Sequence, residues 1–276
     1  MIIAGTPFER GDALGTALRV AKDAADIVRR VYEEEFAVEY KGVNDPVTRA
    51  DREANGFIAR EVARAYPRIP IVAEESDPAS FFGFERSRAA WFVDPLDGTR
   101  EFVARNGEFA VMIGLAEDGR ATLGVLVLPL LNRVLIGAEG IGAFEIDPDG
   151  TRRAIRVSST KRLAEARVVV SRSHRSPEAI AVIARLGARA VVGVGSAGVK
   201  GAQVASAEAD LYAHPGMAGK LWDACAPDAI VRAAGGVASD ARGDRIAYGS
   251  AELGNAHGFV VSNGFLHDAA LAAMTP

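Results

Sequence analysis

Cysteine is almost absent from this sequence, and neither sign of charge dominates it. The single cysteine in 276 residues, Cys225, excludes an intramolecular disulfide and is typical of a reducing compartment. Lysine and arginine number 32 against 36 aspartate and glutamate, which gives a net charge of −4. A chain without a basic excess lacks the electrostatic footprint of a general nucleic-acid-binding protein.

Long apolar runs are also missing. The longest, ATLGVLVLPLL at 121–131, contains Pro129 and falls well short of the roughly 20 residues that span a bilayer. The opening stretch, MIIAGTPFERGD, has no basic start, and its apolar part is too short for a signal peptide. We therefore expect a cytoplasmic protein that meets neither a membrane nor nucleic acid. Its composition is compatible with a monomer or a homodimer.

What the sequence does contain is ample material for a core, since 49% of its residues are hydrophobic. The length suits one large domain or two smaller ones. The most polar turn in the middle of the chain is DPDGTRR at 147–153. We place the boundary there, which predicts domains over 1–149 and 150–276.

The first half predicts helices packed against a largely antiparallel sheet. Apolar residues at helical spacing predict a helix over 11–35, and a second amphipathic helix follows the turn at the start of DPVTRAD. Thr48 and Asp51 have the spacing of a capping box, so this helix is expected to begin near Thr48. Several strands follow and, after the first two, form a meander. Their sequences are IPIVAEES, AAWFVDPLDG, FAVMIGLA, ATLGVLVLP, RVLIGAE and GAFEI.

The second half alternates strands with helices. The strands are RVVVS, RAVVGVG, DLYAH and FVVSN, and the helices begin at Ser176, near Ala197 and at DACAPDAIVRAA. Such alternation indicates an α/β half. The whole chain is therefore predicted to combine α+β and α/β halves in a layered αβαβα sandwich.

Acidic residues follow two of the predicted strands of the first half. Asp94 and Asp97 end one strand, and Pro95 between them starts a turn that can bring both carboxylates into one crevice with the carbonyl of Leu96. The other strand runs directly into Glu74, which lies near Asp94 if the two strands are neighbours. Clustered carboxylates with a backbone carbonyl are the hard oxygen ligands that Mg²⁺ prefers. The alternative for each stretch alone is an ordinary β-turn or a solvated strand end.

The two residues that follow Asp97, a glycine and a threonine, can form part of an anion-binding site. Gly98 permits positive φ and close approach of a ligand to the backbone. The amides of Gly98 and Thr99 can form an anion-binding nest, which suits a substrate phosphate.

Taken together, these stretches resemble a known family. The order and spacing of four motifs are similar to those of the magnesium-dependent, lithium-sensitive phosphatases of the inositol monophosphatase superfamily. The motifs are DPVTRAD, VAEES, WFVDPLDGTREF and LWDACAPDAIVRAAGG, and the resemblance spans about residues 40–240. It implies a phosphomonoesterase that uses two or three Mg²⁺ ions to activate a water molecule, with a metal-binding first domain and a substrate-binding second domain.

The resemblance also implies roles for individual residues. The metal ligands would be Glu74, Asp94, the carbonyl of Leu96, Asp97 and Asp223. Asp51 and Thr99, with Glu74, would form the catalytic group that positions and deprotonates the attacking water. Two of these residues have a structural alternative: Asp51 as a capping-box member only, and Asp223 as a plain N-cap, with Pro227 in the first turn of its helix.

The residues after DPLDGT bear on the substrate. The run REFVARNGEF resembles that of 3′(2′),5′-bisphosphate nucleotidases, with Arg100 in place of their usual lysine. Lys200 and Lys220 then become candidates for a second phosphate, against the alternative of solvated lysines. The stretch HPGMAGKL lacks the acid that inositol monophosphatases tend to carry there. The resemblance thus favours hydrolysis of adenosine 3′,5′-bisphosphate to AMP and phosphate, with inositol monophosphatase or inositol polyphosphate 1-phosphatase activity as alternatives.

A glycine-rich turn suggests a different class of protein. GVGSAG at 193–198 fits the pattern of dinucleotide-binding turns between a strand and a helix. The next strand, however, ends in His214 and Pro215 rather than in the acid that such an NAD-binding oxidoreductase needs. The same turn, through Gly195, Ser196 and Ala197, is expected to contact the substrate's ribose or phosphate.

Overall fold

The computed structural model describes residues 2–3, 6–7, 10–42, 45–173 and 176–275. The first half begins with strands β1 (Ile2–Ile3) and β2 (Thr6–Pro7), helix α1 (Arg10–Glu33), strands β3 (Val38–Gly42) and β4 (Asp45–Thr48), and helix α2 (Arg49–Ala65). It continues with strands β5 (Ile71–Ala73) and β6 (Ala89–Asp97) and helix α3 (Thr99–Val103). Strands β7 (Ala110–Glu117), β8 (Arg120–Leu128), β9 (Arg133–Ala138), β10 (Gly142–Ile146) and β11 (Arg152–Ala154) complete it.

The second half alternates strands and helices as its sequence predicts. Its elements are β12 (Arg167–Ser171), α4 (Pro177–Leu186), β13 (Ala190–Val194), α5 (Ala197–Ala205) and β14 (Leu211–His214), followed by α6 (Leu221–Ala233), β15 (Val237–Ser239), β16 (Phe259–Ser262) and α7 (His267–Met274). None of the helices in the described ranges combines the length and the apolarity that a bilayer crossing requires.

Two large sheets form the framework. The first has the order β11-β10-β9-β8-β7-β6-β5 and is antiparallel except for the parallel pair β5–β6. This confirms the predicted meander and places the two acid-terminated strands side by side. The second sheet has the order β13-β12-β14-β16-β15, with β13, β12 and β14 parallel.

Helices fill the spaces around and between these sheets. Helices α1 and α2 pack on one face of the first sheet around Trp91 and Ile113. Helices α5 and α6 lie between the two sheets, in a core that includes Phe92 and Val261. Helices α4 and α7 cover the outer face of the second sheet around Leu211. The αβαβα sandwich is therefore confirmed.

Helix α6 lies directly on the backbone of the first sheet. Gly114, Gly124 and Gly137 are cross-strand neighbours on β7, β8 and β9 and form a furrow without side chains, the glycine furrow. A Cβ added to Gly124 would lie 2.3 Å from the carbonyl oxygen of Ala226, and one on Gly137 would lie 2.7 Å from Cα of Ile230. Glycine is needed here because helix and strands approach closer than any side chain allows.

Local boundaries follow the predicted caps, with three differences. Helix α2 begins after Thr48, whose capping box with Asp51 is formed. Helix α6 begins at Leu221, so Pro227 lies inside the helix and not in its first turn as predicted. The hairpin β3–β4 stands where only a turn was predicted, and β1, β2, α3, β11, β15 and α7 had no sequence prediction.

The division of the chain into domains over 1–149 and 150–276 stays a prediction. Strand β11 pairs with β10 and so extends the first sheet past residue 150.

Candidate active site

A cleft of about 420 Å³ opens where the ends of β5 and β6 meet the N-termini of helices α5 and α6. Its walls contain every residue predicted to bind metal or substrate, and Asp51 lies behind Thr99. The predicted residues on the walls are Glu74, Asp94, Leu96, Asp97, Gly98, Thr99, Gly195, Ser196, Ala197, Lys200, Lys220 and Asp223. The fold thus brings together residues from distant parts of the sequence.

Strand β6 presents two buried carboxylates, because its pairing with β7 is interrupted between Asp94 and Asp97. Asp94 is 1% exposed, and its Oδ1 accepts the N–H of Leu96 at 3.0 Å. Asp97 Oδ2 accepts the N–H of Gly198 at 2.6 Å and the hydroxyl of Ser196. Helix α5 thereby orients one of the predicted ligands of strand β6.

Helix α6 supplies the third carboxylate. Asp223 is the third residue of the helix, and its Oδ2 accepts the N–H of Lys220 at 2.5 Å. It is therefore not the N-cap, the position that the structural alternative assigned to it; Lys220 is the N-cap. Asp94, Asp97 and Asp223 each place a carboxylate oxygen within 4.8 Å of the others.

Burial and mutual repulsion disfavour the charged forms of the carboxylates in this cluster. Burial and the neighbouring carboxylates raise the pKa of Asp94 well above its ordinary value. Burial and Asp97 raise the pKa of Asp223 to about 7. Charged carboxylates this close repel each other unless a cation neutralises them.

Glu74 stands beside the cluster, at the end of β5. Burial and the charge of Asp223 raise its pKa to about 8, although the Lys41 ammonium lies 3.2 Å from its Oε1 and acts in the opposite direction. Lys41 also contacts Glu75 at 2.5 Å. The hairpin β3–β4 thus brings a cation to the rim of the acidic cluster.

The donor set fits a divalent cation. The buried carboxylates of Asp94 and Asp97 and the half-buried one of Asp223 lie within 4.8 Å of one another, and with the backbone of Leu96 in the same cleft they offer only oxygen ligands. Hard oxygen ligands without sulfur or imidazole suit Mg²⁺ rather than Zn²⁺ or copper. A cation at this position would offset both the burial and the mutual repulsion that raise the pKa values of these carboxylates.

Asp51 and Thr99 form a hydrogen-bonded pair behind the cleft. The Thr99 hydroxyl donates to Asp51 Oδ1 at 2.8 Å and also lies 3.2 Å from the carbonyl oxygen of Leu96. Asp51 Oδ2 accepts both the N–H and the hydroxyl of Thr48, at 2.7 and 2.6 Å. One carboxylate therefore caps α2 with one oxygen and meets Thr99 with the other, so the structural role and contact with Thr99 coexist. Burial raises the pKa of Asp51.

Gly98 provides the turn between β6 and α3. Its φ is +96°, and a Cβ there would lie 2.9 Å from the carbonyl oxygen of Glu108 and 3.2 Å from Cβ of Ser196. Only glycine adopts this conformation in so little space. Gly98 thereby allows the turn between β6 and α3 to pack against Glu108 and Ser196.

The two lysines have different surroundings. Lys200 is 3% exposed, and its ammonium donates to the carbonyl oxygens of Val194, Gly195 and Ser196 at 3.4, 2.9 and 2.6 Å. Burial lowers its pKa to about 8. Lys200 is thus not a solvated lysine, whereas Lys220 is exposed on the cleft rim. Contact of either with a substrate phosphate stays a prediction.

A group of acidic and basic residues that the sequence did not reveal supports the turn between β13 and α5. Glu108 Oε2 accepts the N–H of Gly195 at 2.6 Å, and its Oε1 accepts from Arg172 at 2.6 Å. Glu101 lies so close to Gly195 that a Cβ there would be 2.2 Å from its Cγ. Glu101 and Glu108 belong to the quoted run REFVARNGEF, so the signal was in the sequence but carried no indication of their distant partner.

The same turn contains the glycine-rich pattern that suggested dinucleotide binding. Here Ser196 and the amide of Gly198 both bind Asp97 of the protein itself. A dinucleotide fold would instead direct such donors to a pyrophosphate. The polar groups of this turn therefore serve the acidic cluster.

Comparison with known sequences gives a consistent result. A family model for the inositol monophosphatase family matches residues 12–275. The 3′(2′),5′-bisphosphate nucleotidase CysQ of Escherichia coli (strain K12) is 35% identical over 251 residues, which cover 90% of this chain and 99% of that protein. The Salmonella typhimurium protein of the same name is 36% identical over 232 residues, covering 83% and 91%.

Solved structures show the same architecture. The extragenic suppressor protein suhB of Bartonella henselae superposes with a TM-score of 0.84 at 26% identity, covering 96% of this chain and 98% of that one. CysQ of Bacteroides thetaiotaomicron, described as a bacterial member of the inositol monophosphatase family, has a TM-score of 0.75 at 28% identity. It covers 91% of this chain and 97% of its own.

Proposed function

The chain belongs to the inositol monophosphatase family and is a phosphatase, and we propose that it is a magnesium-dependent 3′(2′),5′-bisphosphate nucleotidase. Its substrate would be adenosine 3′,5′-bisphosphate, which it would hydrolyse to AMP and phosphate. The observation that supports this proposal is the sequence identity of 35–36% with the CysQ nucleotidases over 83–90% of the chain. The acidic cleft supports it, since a phosphate dianion can enter such a site only together with cations.

We assign the cations to the carboxylates of Asp94, Asp97 and Asp223, with Glu74 and the carbonyl of Leu96 completing the set. Two or three Mg²⁺ ions bound there would act as Lewis acids on the phosphate and lower the pKa of a water molecule. The protein's contribution is to hold the ligands in place beforehand. Ser196 and Gly198 fix Asp97, and the backbone of Lys220 fixes Asp223.

The pair Asp51–Thr99 is suited to receive the proton of the attacking water. As that water transfers a proton to Oγ1 of Thr99, the hydroxyl proton of Thr99 moves to Oδ1 of Asp51, 2.8 Å away. Burial raises the pKa of Asp51 and so makes its carboxylate a stronger base than an exposed aspartate. The water oxygen then forms a bond to phosphorus as the bond between phosphorus and the ester oxygen breaks, and the leaving ester oxygen takes up a proton from solvent to give the alcohol.

The second phosphate of the substrate distinguishes a nucleotidase from a monophosphatase. Lys220 on the rim is our candidate for this phosphate, together with Arg100, which also lines the cleft. An ammonium and a guanidinium form strong charge-assisted hydrogen bonds with phosphate. Gly195 and Ala197, which line the same cleft, would lie against the ribose.

A panel of substrates tests this assignment. Phosphate release with Mg²⁺ is to be compared for adenosine 3′,5′-bisphosphate, inositol 1-phosphate, inositol 1,4-bisphosphate and fructose 1,6-bisphosphate. We expect the highest kcat/KM for the nucleotide and inhibition by lithium. A preference for inositol 1-phosphate over the bisphosphates would refute the substrate, and absence of Mg²⁺-dependent release from all four would refute the proposed activity.

A further inference from the structure

A second cavity, of about 520 Å³, lies away from the catalytic cleft and shares no residue with it. It is bounded by the start of β8, the turn between β9 and β10, the second half of α6 and the segment at 245–246. Its volume is within the range of small-molecule sites, roughly 300–1,000 Å³. We call it the arginine pocket, after Arg120, Arg232 and Arg245 on its walls.

The arginine pocket exists because small residues line it where helix meets sheet. Ala229 and Ala233 of α6 face Ala121 of β8, and Gly140 and Gly142 make the β9–β10 turn. Side chains of this size cannot fill the space between the two elements. The small residues on its walls therefore leave the pocket open where α6 meets the sheet.

Two of its three arginines, Arg120 and Arg245, have exposed side chains. Their guanidinium groups form no hydrogen bond or ion pair within the described part of the chain, although the charge of Arg120 acts on Asp118 and that of Arg245 on Asp228. Both carboxylates are paired with other arginines, Asp118 with Arg88 and Asp228 with Arg232. Two guanidinium groups without a hydrogen-bonded carboxylate at one cavity can donate to a phosphate or another oxyanion.

The carboxylates of the pocket offset this charge only in part, since Asp228 attracts Arg245 but is paired with Arg232. Asp228 is 2% exposed, and its two oxygens accept the Arg232 Nε at 2.5 Å and the Tyr248 hydroxyl at 3.1 Å. Arg232 also donates to the carbonyl oxygen of Ala238, so this arginine is held in place. Glu139 is exposed, has an interaction of its own and is screened by solvent.

We propose that the arginine pocket binds a phosphorylated small molecule with an apolar or aromatic body. Arg120 and Arg245 would hold the phosphate. The body would lie against Ile141 and Ile246, because an inorganic phosphate alone would leave most of 520 Å³ unfilled. This site is independent of the substrate assigned to the catalytic cleft.

Helix α6 connects the two sites. Its N-terminus carries Asp223, and its second half forms a wall of the arginine pocket five to ten residues later. At a rise of about 1.5 Å per residue, these positions are roughly 8–15 Å apart along the helix axis. A ligand in the pocket would thus contact the element that holds the third carboxylate.

Site-resolved NMR titration with phenylphosphonate tests the proposal. The compound combines an oxyanion with an aromatic body and has no ester bond to hydrolyse. The full-length protein with Mg²⁺ is titrated while the backbone amides of Glu139, Gly140, Gly142 and Ile246 are followed. We expect saturable shifts at these amides, and methylphosphonate should bind at least tenfold more weakly.

The double variant Arg120→Gln/Arg245→Gln should weaken phenylphosphonate binding at these amides at least tenfold. The control Arg64→Gln/Arg242→Gln removes the same charge from exposed positions outside the pocket and should bind as the wild type does. Both variants should retain phosphatase activity, which shows that they are folded. Absence of saturable shifts, equal affinity in the Arg120/Arg245 variant, or equal affinity for the two phosphonates would each overturn the proposal.

Discussion

Asp94 combines the strongest burial with the strongest repulsion in the cleft. In the variant Asp94→Asn, we expect Mg²⁺-dependent phosphate release to fall by at least about 100-fold, because a charged oxygen ligand is lost where the transition state needs charge stabilisation. The metal-free variant should be at least as stable as the wild type, since one of the mutually repelling carboxylates is gone. Phosphate-release kinetics and thermal unfolding in EDTA measure the two effects.

The control for this variant is Asp26→Asn, which changes an exposed aspartate on α1 by the same atoms. It should keep wild-type activity. Near-normal activity of Asp94→Asn would mean that the acidic cluster is not the metal site.

Thr99 tests the proton path without replacement of a metal ligand, although its hydroxyl also lies 3.2 Å from the proposed ligand carbonyl of Leu96. Thr99→Ala removes the hydroxyl that donates to Asp51, and we expect kcat to fall about 10- to 1,000-fold with KM little changed. Thr99→Ser retains the hydroxyl and should restore most of kcat. If both variants lose activity equally, the methyl group of Thr99 and not its hydroxyl would be what matters.

At the scale of elements, the glycine furrow fixes how closely α6 approaches the first sheet. Gly124→Ala places a methyl group 2.3 Å from the carbonyl oxygen of Ala226, so the helix must move outward. We expect the free energy of unfolding to fall by about 1–3 kcal/mol, as in overpacked cores, together with a loss of activity because Asp223 moves with α6. Denaturant unfolding and phosphate-release assays measure both.

Gly56→Ala is the matched control. Gly56 lies within α2, and an added Cβ there meets nothing within 4 Å. Since alanine favours a helix over glycine, this variant should be as stable as the wild type or more stable by up to about 1 kcal/mol. Equal destabilisation by the two substitutions would rule out the steric account of the furrow.

Elements defined by local chemistry could be predicted from the sequence, and those defined by distant contacts could not. Thr48 and Asp51 signal the start of α2 within four residues. Helix α6 was predicted with its start at Asp223, two residues too late, and Pro227, which usually marks a first turn, here lies inside the helix. Its missing N–H frees the carbonyl of Asp223, four residues earlier, and tertiary packing outweighs that loss.

The residues of the cleft likewise fall into those that the sequence predicts and those that it does not. Asp94 and Asp97 follow a strand whose pattern is evident, so their position was predictable from the residues alone. Lys41 was not, because it reaches Glu74 and Glu75 only through the hairpin β3–β4. Likewise, the contact of Glu108 with Gly195 depends on two segments 87 residues apart.

At the scale of the whole molecule, the acidic cluster makes stability depend on both pH and Mg²⁺. The folded-state pKa of Glu74 is raised to about 8 and that of Asp223 to about 7, against unfolded values near 4. The folded protein therefore retains protons that the unfolded chain releases. These groups cost stability in the metal-free protein as pH rises from about 4 to 8.

We therefore expect Mg²⁺ to raise the melting temperature more at pH 8 than at pH 6. The difference between melting curves with Mg²⁺ and with EDTA isolates the cluster from other titrating groups. A stabilisation by Mg²⁺ that is equal at both pH values, or larger at pH 6, would contradict this account.

Because α6 packs directly on strand backbone, we expect the parts of the protein to unfold in a defined order. No side chain of the first sheet separates Cys225 and Ala226 from the strands at Gly114 and Gly124, so we expect this helix not to detach by a local fluctuation. Its amide protons should exchange with deuterium only when the entire protein unfolds, while those of the exposed hairpin β3–β4 exchange much earlier. The wall of the cleft that carries Asp223 would then be the last to be lost, and the rim that carries Lys41 the first.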